Sequence, residues 1–123
     1  MKARGFTLVE LMVVMAIIAL LLALALPRYF NHLESSRETI LKQDLAVMRD
    51  AIDKYHGDRG RYPDSLDELV NARYLRALPV DPITERADTW QIVAPSGDGA
   101  GAVYDIRSGA PGTARDGSPY AEW

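Results

Sequence analysis

Glu10 is the only charged residue between Gly5 and Arg28, in a stretch otherwise made of Phe, Thr, Leu, Val, Met, Ala, Ile and Pro. A carboxylate at the centre of a membrane helix costs about 2.5–3.5 kcal/mol, and less near an interface. Two chemistries suit a glutamate near the start of such a run. It snorkels to the headgroups as a tolerated interfacial acid, or it is the counter-ion of an amine. If the chain is cut after Gly5, Phe6 acquires an α-amine that is largely protonated at neutral pH. Glu10 would then lie about one helical turn from that amine. Pairing within the chain, or with the amine of an adjacent chain, would neutralise both charges in an apolar medium and favour a packed bundle.

The remaining residues with chemical potential are less organised. His32 and His56 are separated by about six helical turns and cannot share a metal, so each reads as a polar-face or helix-end residue. Ser35 and Ser36 have no base beside them, and no nucleophile–base–acid set stands out. The glycines near 97–101 do not follow a strand and open a helix as a dinucleotide loop requires. Catalysis is not expected. Asp98, Asp105 and Asp116, with Ser118, stand in a glycine-rich tail. Oxygen ligands for a hard cation such as calcium and plain turn-forming, solvated aspartates are both open readings there. The absence of cysteine excludes disulfide and thiol chemistry. Fourteen basic against 17 acidic residues give a formal charge of -3, with Lys and Arg interspersed among acids along 37–61. A nucleic-acid interface needs clustered positive charge, and none is present.

The elements that position these residues follow from hydrophobic pattern. From Phe6 to Leu26 the chain is apolar but for Thr7 and Glu10, about 31 Å of helix at about 1.5 Å per residue. That length matches a hydrocarbon core of about 30 Å. A removable secretory signal is a weaker reading, because the run is long and 23–26 offers no convincing small-x-small site before Pro27. A buried soluble helix is weaker still, since the run has no wet face. Lys2 and Arg4 precede the span and are expected on the cytoplasmic side, leaving the polar bulk on the far side. Pro27 lacks an amide hydrogen and is expected to kink the helix without ending it. Leu41, Leu45, Met48, Ile52 and Tyr55 then recur at helical spacing on one face. Glu38–Lys42 and Asp50–Lys54 are expected as i,i+4 pairs on the other.

A helix from 6 to 55 would be about 75 Å long if unbroken, so its second half needs a covering domain supplied by the rest of the chain. Gly57, Gly60 and Pro63 are expected to stop it. Ser65-x-x-Glu68 has the spacing of a reciprocal capping box, opening a short helix that runs to about Arg73. Strands are expected over 90–93 and 102–106, paired antiparallel across a turn at 95–99. Trp90, Val103 and Ile106 should pack on the Leu45/Met48/Ile52 face, with Trp123 as a lid or a contact to the next subunit. The fold class is α+β.

Gly5-Phe6-Thr7-Leu8-Val9-Glu10, the short basic leader and the apolar run ending at Pro27 closely resemble the signature of type IV pilins and type II secretion pseudopilins. Tyr62-Pro63, Leu78-Pro79, Asp81-Pro82 and Trp90 are similar to positions of the major pseudopilins. The resemblance implies residues 1–5 as a leader removed by a prepilin peptidase, and Gly5 as its last residue. It implies Phe6 as the N-methylated first residue of the mature chain and Glu10 as the assembly glutamate. Pro27 corresponds to the helix-bending proline. It implies 6–27 as the transmembrane and filament-core helix, 28–56 as an amphipathic helix, and 57–123 as a periplasmic region whose short helix and small antiparallel sheet pack on it. Loss of the leader leaves 12 basic against 17 acidic side chains. The major pseudopilins hold calcium in a C-terminal loop, and by position Asp116 and Ser118 are the candidate ligands. Ala110-Pro111 and Arg115 depart from that loop's acidic pattern.

The function implied is a structural subunit of the periplasmic pseudopilus of a type II secretion system. Its partners would be membrane lipid before assembly, then copies of itself in a homopolymeric filament, minor pseudopilins and an inner-membrane assembly platform. A pilin or minor pilin-like subunit of a type IV pilus is the alternative within the class. A non-assembling membrane-anchored binding module is the alternative outside it.

Overall fold

The computed structural model describes residues 4–97 and 101–123, so the start of the leader and Asp98-Gly99 of the expected turn lie outside the described residues. The chain divides into two compact units, 1–34 and 35–123.

The first unit is the opening part of helix α1, Leu8–Arg59. Its apolar residues from Phe6 through Phe30 are exposed along the whole stretch. An 18-residue window of α1 is long and apolar enough to cross a membrane, with none of it buried. The helix continues through Pro27, as a proline permits when one backbone bond is given up.

The second unit is built on the remainder of α1. The expected stripe is fully realised: Leu41, Leu45, Met48, Ile52 and Tyr55 are all buried, together with Ala51. α1 ends at Arg59, and Gly60 follows at φ 70 with its amide on the His56 carbonyl at 2.9 Å. Helix α2, Leu66–Asn71, starts on Ser65, whose hydroxyl accepts the Glu68 amide at 3.3 Å. The other half of the box is displaced by one residue, because the Glu68 carboxylate accepts the Asp64 amide at 2.6 Å. It also takes the Tyr55 hydroxyl and Arg61 Nη2, the latter at 2.8 Å. These donors, the Tyr55 hydroxyl foremost, hold the Glu68 carboxyl down at about 2. One side chain therefore joins α1, the connecting loop and α2.

Strands β1, Gln91–Val93, and β2, Asp105–Arg107, pair antiparallel with Ile92 opposite Ile106. β2 begins later than the hydrophobic pattern suggests. The amides of Ala102 and Val103 both donate to the Pro63 carbonyl, at 3.0 and 2.9 Å, and so are withdrawn from the ladder. Tyr104 alone extends it, with its amide on the Val93 carbonyl at 2.9 Å. A 3-10 turn over Tyr120–Glu122 completes the fold.

Leu66, Leu69, Leu75, Trp90, Val103, Ile106, Ala110, Ala114 and Tyr120 close over the α1 stripe in one core. Trp90 is 7% exposed and donates its indole N–H to the Pro79 carbonyl at 2.9 Å. The fold is the α+β arrangement of a type IV pilin: a long N-terminal helix, with a short helix and a small antiparallel sheet packed on its later part.

Candidate functional site

The N-terminal segment carries the residues whose chemistry the sequence singles out. Gly5 is exposed, and a side chain built there would meet nothing within 4 Å. Phe6 is 89% exposed. Thr7 and Glu10 form a reciprocal pair at the start of α1. The Thr7 hydroxyl accepts the Glu10 amide at 3.1 Å, and the Glu10 carboxylate accepts the Thr7 amide at 3.0 Å. This is a complete capping box, satisfying two backbone donors that a helix start otherwise leaves open. The Thr-x-x-Glu spacing was its sequence signal, the same spacing as at Ser65–Glu68. The carboxylate is turned back toward the N-terminal side of the helix, one residue short of the Phe6 nitrogen along the chain. Leu11 continues the first turn, with its amide on the Thr7 carbonyl at 3.1 Å.

The C-terminal candidates are arranged differently. Asp116 Oδ1 accepts both the amide and the hydroxyl of Ser118, the amide at 2.9 Å. The Ser118 hydroxyl is the leading reason the Asp116 carboxyl lies below its ordinary range. Ser118 Oγ in turn accepts the Trp123 indole N–H at 2.8 Å. Asp105 is not near them in role: its Oδ1 accepts Arg49 Nε at 2.7 Å. Asp98 lies outside the described residues. Among the described residues, no group of three or more His, Cys, Asp or Glu side chains is placed to hold a metal ion.

Several connections were not visible as local pattern. Arg49 Nη2 donates to the Ile106 carbonyl at 2.9 Å and to the Trp123 main-chain oxygen at 2.7 Å. Asp81, fully buried, accepts the Ile83 amide at 2.8 Å and the Ser108 hydroxyl at 2.7 Å. Of the two expected i,i+4 pairs, Lys54–Asp50 forms at 2.9 Å. Glu38–Lys42 does not: Glu38 accepts the Arg115 amide at 2.8 Å and the Tyr120 hydroxyl at 3.2 Å, while Lys42 lies 4.7 Å from the centroid of the Trp123 ring. A carboxylate on α1 gains more from fixing a loop amide than from an exposed ion pair. His32 is exposed, and His56 stacks on Tyr62 at 4.1 Å.

The site thus comprises an exposed, capped, apolar helix start and a domain that covers one helical face. The prokaryotic N-terminal methylation motif matches residues 1–26. The type II secretion system core protein G of Pseudomonas aeruginosa is 31% identical, the match covering 85% of this chain and 83% of that protein. The protein of the same description from Escherichia coli is 32% identical, over 89% of this chain and 83% of its own length. The fimbrial protein EcpC of Eikenella corrodens is 28% identical, over 94% of this chain and 78% of its own. No solved structure gives a significant match. The class defined by fold and N-terminal segment is the pilin-like structural subunit. Within it, the chain belongs to the family of type II secretion pseudopilin G and type IV pilins. Its role is structural and non-catalytic, and its single N-terminal apolar helix and methylation motif are consistent with anchoring in the inner membrane.

Proposed function

We propose that the chain is a major-type pseudopilin of a type II secretion system. In this reading a prepilin peptidase cuts after Gly5, and Phe6 becomes the N-methylated first residue. Residues 6–27 hold the subunit in the inner membrane as a single pass, with 57–123 in the periplasm. Residues 28–56 connect the two as an amphipathic helix, and Pro27 is the helix-bending proline. The assembly platform then moves subunits out of lipid into a homopolymeric pseudopilus, with minor pseudopilins among its partners.

The observation that carries this is the first part of α1, apolar on every side and buried nowhere, with one carboxylate at its head. Lipid satisfies the apolar faces but not the acid. A bundle of like helices satisfies both, because a Phe6 amine of the mature chain supplies the opposite charge. Leaving one member of a buried charge pair unpaired costs about 3–5 kcal/mol, repeated at each added subunit.

The test is the amount of sheared or cross-linked filament per mature membrane-inserted subunit, for wild type and Glu10→Leu. Insertion should be unchanged and the filament ratio should collapse. Equal ratios would leave Glu10 as an interfacial acid only. A subunit of a type IV pilus is the second reading, favoured by the likeness to the type IV major pilin protein PilA of Myxococcus xanthus, 36% identical over 55% of this chain and 31% of its own length. Deleting the gene separates the two, since the pseudopilin reading requires loss of exoprotein release with surface pili and twitching intact.

A further inference from the structure

The segment 108–123 is where a cation would be expected from the resemblance to major pseudopilins, and its donor set does not fit one. Calcium takes six to eight oxygens at 2.3–2.6 Å, several of them carboxylate. Among the described residues, three carboxylates at this segment each have one oxygen engaged by protein donors, and its remaining acid, Glu122, is exposed on the closing 3-10 turn. Asp105 Oδ1 accepts Arg49 Nε at 2.7 Å as well as the amide of Ile106, Asp116 Oδ1 accepts two donors of Ser118, and Glu38 Oε1 accepts the Arg115 amide and the Tyr120 hydroxyl. Cationic side chains occupy the same neighbourhood: Arg49 and Lys42 line one open cavity of about 290 Å³ together with Asp116, Leu45 and Trp123. A divalent ion there would face two fixed positive charges for one carboxylate.

The groups present tie the segment down from both ends. On one side, the Arg49 guanidinium binds three points that are distant in sequence: the Asp105 carboxylate, the Ile106 carbonyl and the Trp123 main-chain oxygen. The Trp123 ring packs against the core under Lys42 and edge-on to Tyr120, and its N–H continues to Ser118 and so to Asp116. On the other side, Glu38 fixes the Arg115 amide and the Tyr120 hydroxyl. Between them the loop closes on itself, with the Ala114 amide on the Ser118 carbonyl at 2.7 Å and the Tyr120 amide on the Gly112 carbonyl at 3.2 Å. Ala110 and Ala114 are buried where longer side chains would hold the loop off the core.

We propose that this segment is locked by protein groups alone, with the Arg49 guanidinium and the Trp123–Ser118–Asp116 relay doing what a bound cation would otherwise do, so that the subunit's C-terminal fold is independent of calcium. A guanidinium suits the task because its planar fork presents five donors at fixed angles and stays charged at any ordinary pH. The inference concerns the loop and holds whether the subunit builds a pseudopilus or a pilus.

The test uses the full chain in detergent and two readouts, the Tm and the rate of tryptic cleavage after Arg115, which is exposed in the middle of the loop. A cation bound only by the folded state raises Tm and protects the loop. For the wild type, millimolar calcium chloride and excess EGTA should give the same Tm and the same cleavage rate. Arg49→Met should lower the Tm and speed cleavage after Arg115 several-fold, with calcium restoring neither. Trp123→Phe keeps the ring but removes the N–H donor, and should speed cleavage with a smaller loss of Tm. It provides the loop readout if Arg49→Met does not fold. A wild-type loop that EGTA exposes, or that calcium protects, overturns the proposal, as does unchanged cleavage in both variants.

Discussion

The Ser108 hydroxyl donates to Asp81 Oδ2 at 2.7 Å, and both residues are fully buried. Asp81 Oδ1 holds the Ile83 amide, and Ser108 Oγ accepts the Ala110 amide at 3.1 Å, so the pair links the Pro79–Pro82 turn to the end of β2. Ser108→Ala leaves an acceptor and a donor without partners in a buried site. The expected cost is about 1–3 kcal/mol, read as a lower denaturation midpoint of the full chain in detergent. An unchanged midpoint would show that the contact contributes nothing.

Trp90 joins β1 to the α1 stripe. Trp90→Ala should cost about 3–5 kcal/mol, from lost burial and the cavity left behind. Trp90→Phe retains an aromatic ring and forfeits the indole bond to the Pro79 carbonyl, so its loss should be clearly smaller. Similar midpoints for Trp90→Ala and wild type would place the core elsewhere.

Much of this arrangement is legible in the sequence, for reasons that differ between elements. The buried stripe from Leu41 to Tyr55 is legible because a helix buried on one face enforces a 3.6-residue period. The membrane-length run is legible because it has no polar face at all. Ser65 as a cap is legible from a local spacing, but the destination of the Glu68 carboxylate is not. Asp64, Arg61 and Tyr55 all donate to it, and only the tertiary fold brings Tyr55 within reach. Thr7–Glu10 has the same spacing, overshadowed by the cost of putting Glu10 into lipid. Arg49 to Asp105 and Trp123, and Glu38 to Arg115, span most of the second unit and leave no periodic trace. The start of β2 is shifted for a related reason, since the Pro63 carbonyl that captures Ala102 and Val103 lies far away in sequence.

Glu68 makes stability depend on acid pH. Its carboxyl moves from an ordinary 4.5 to about 2 in the folded chain, so folding favours the charged form. The contribution is present above 4.5 and is lost as pH falls from 4.5 through about 2. Thermal melts should show wild type more stable than Glu68→Gln at pH 7, with the gap shrinking over that window. A gap independent of pH would remove the charge from the explanation.

Gly109 and Gly57 form a contrasting pair. A Cβ on Gly109 would lie 1.9 Å from the Thr89 carbonyl oxygen, while one on Gly57 meets nothing within 4 Å. Gly109→Ala should therefore force the strand ends apart at a cost of about 1–3 kcal/mol. Gly57→Ala, in the last turns of α1, should stabilise by about 0.5–1 kcal/mol. Hydrogen exchange at the β1 and β2 amides should rise for the first variant alone.

A processed filament subunit, as proposed above, and a static membrane anchor differ at the N terminus. Intact-mass and N-terminal peptide mass spectrometry of the protein extracted from bacterial membranes reads that difference. The expected result is a chain beginning at N-methylated Phe6, lighter by residues 1–5, and an uncut, still membrane-inserted precursor for Gly5→Val. A wild-type chain that keeps Met1, or one cut near Ala25, would contradict it.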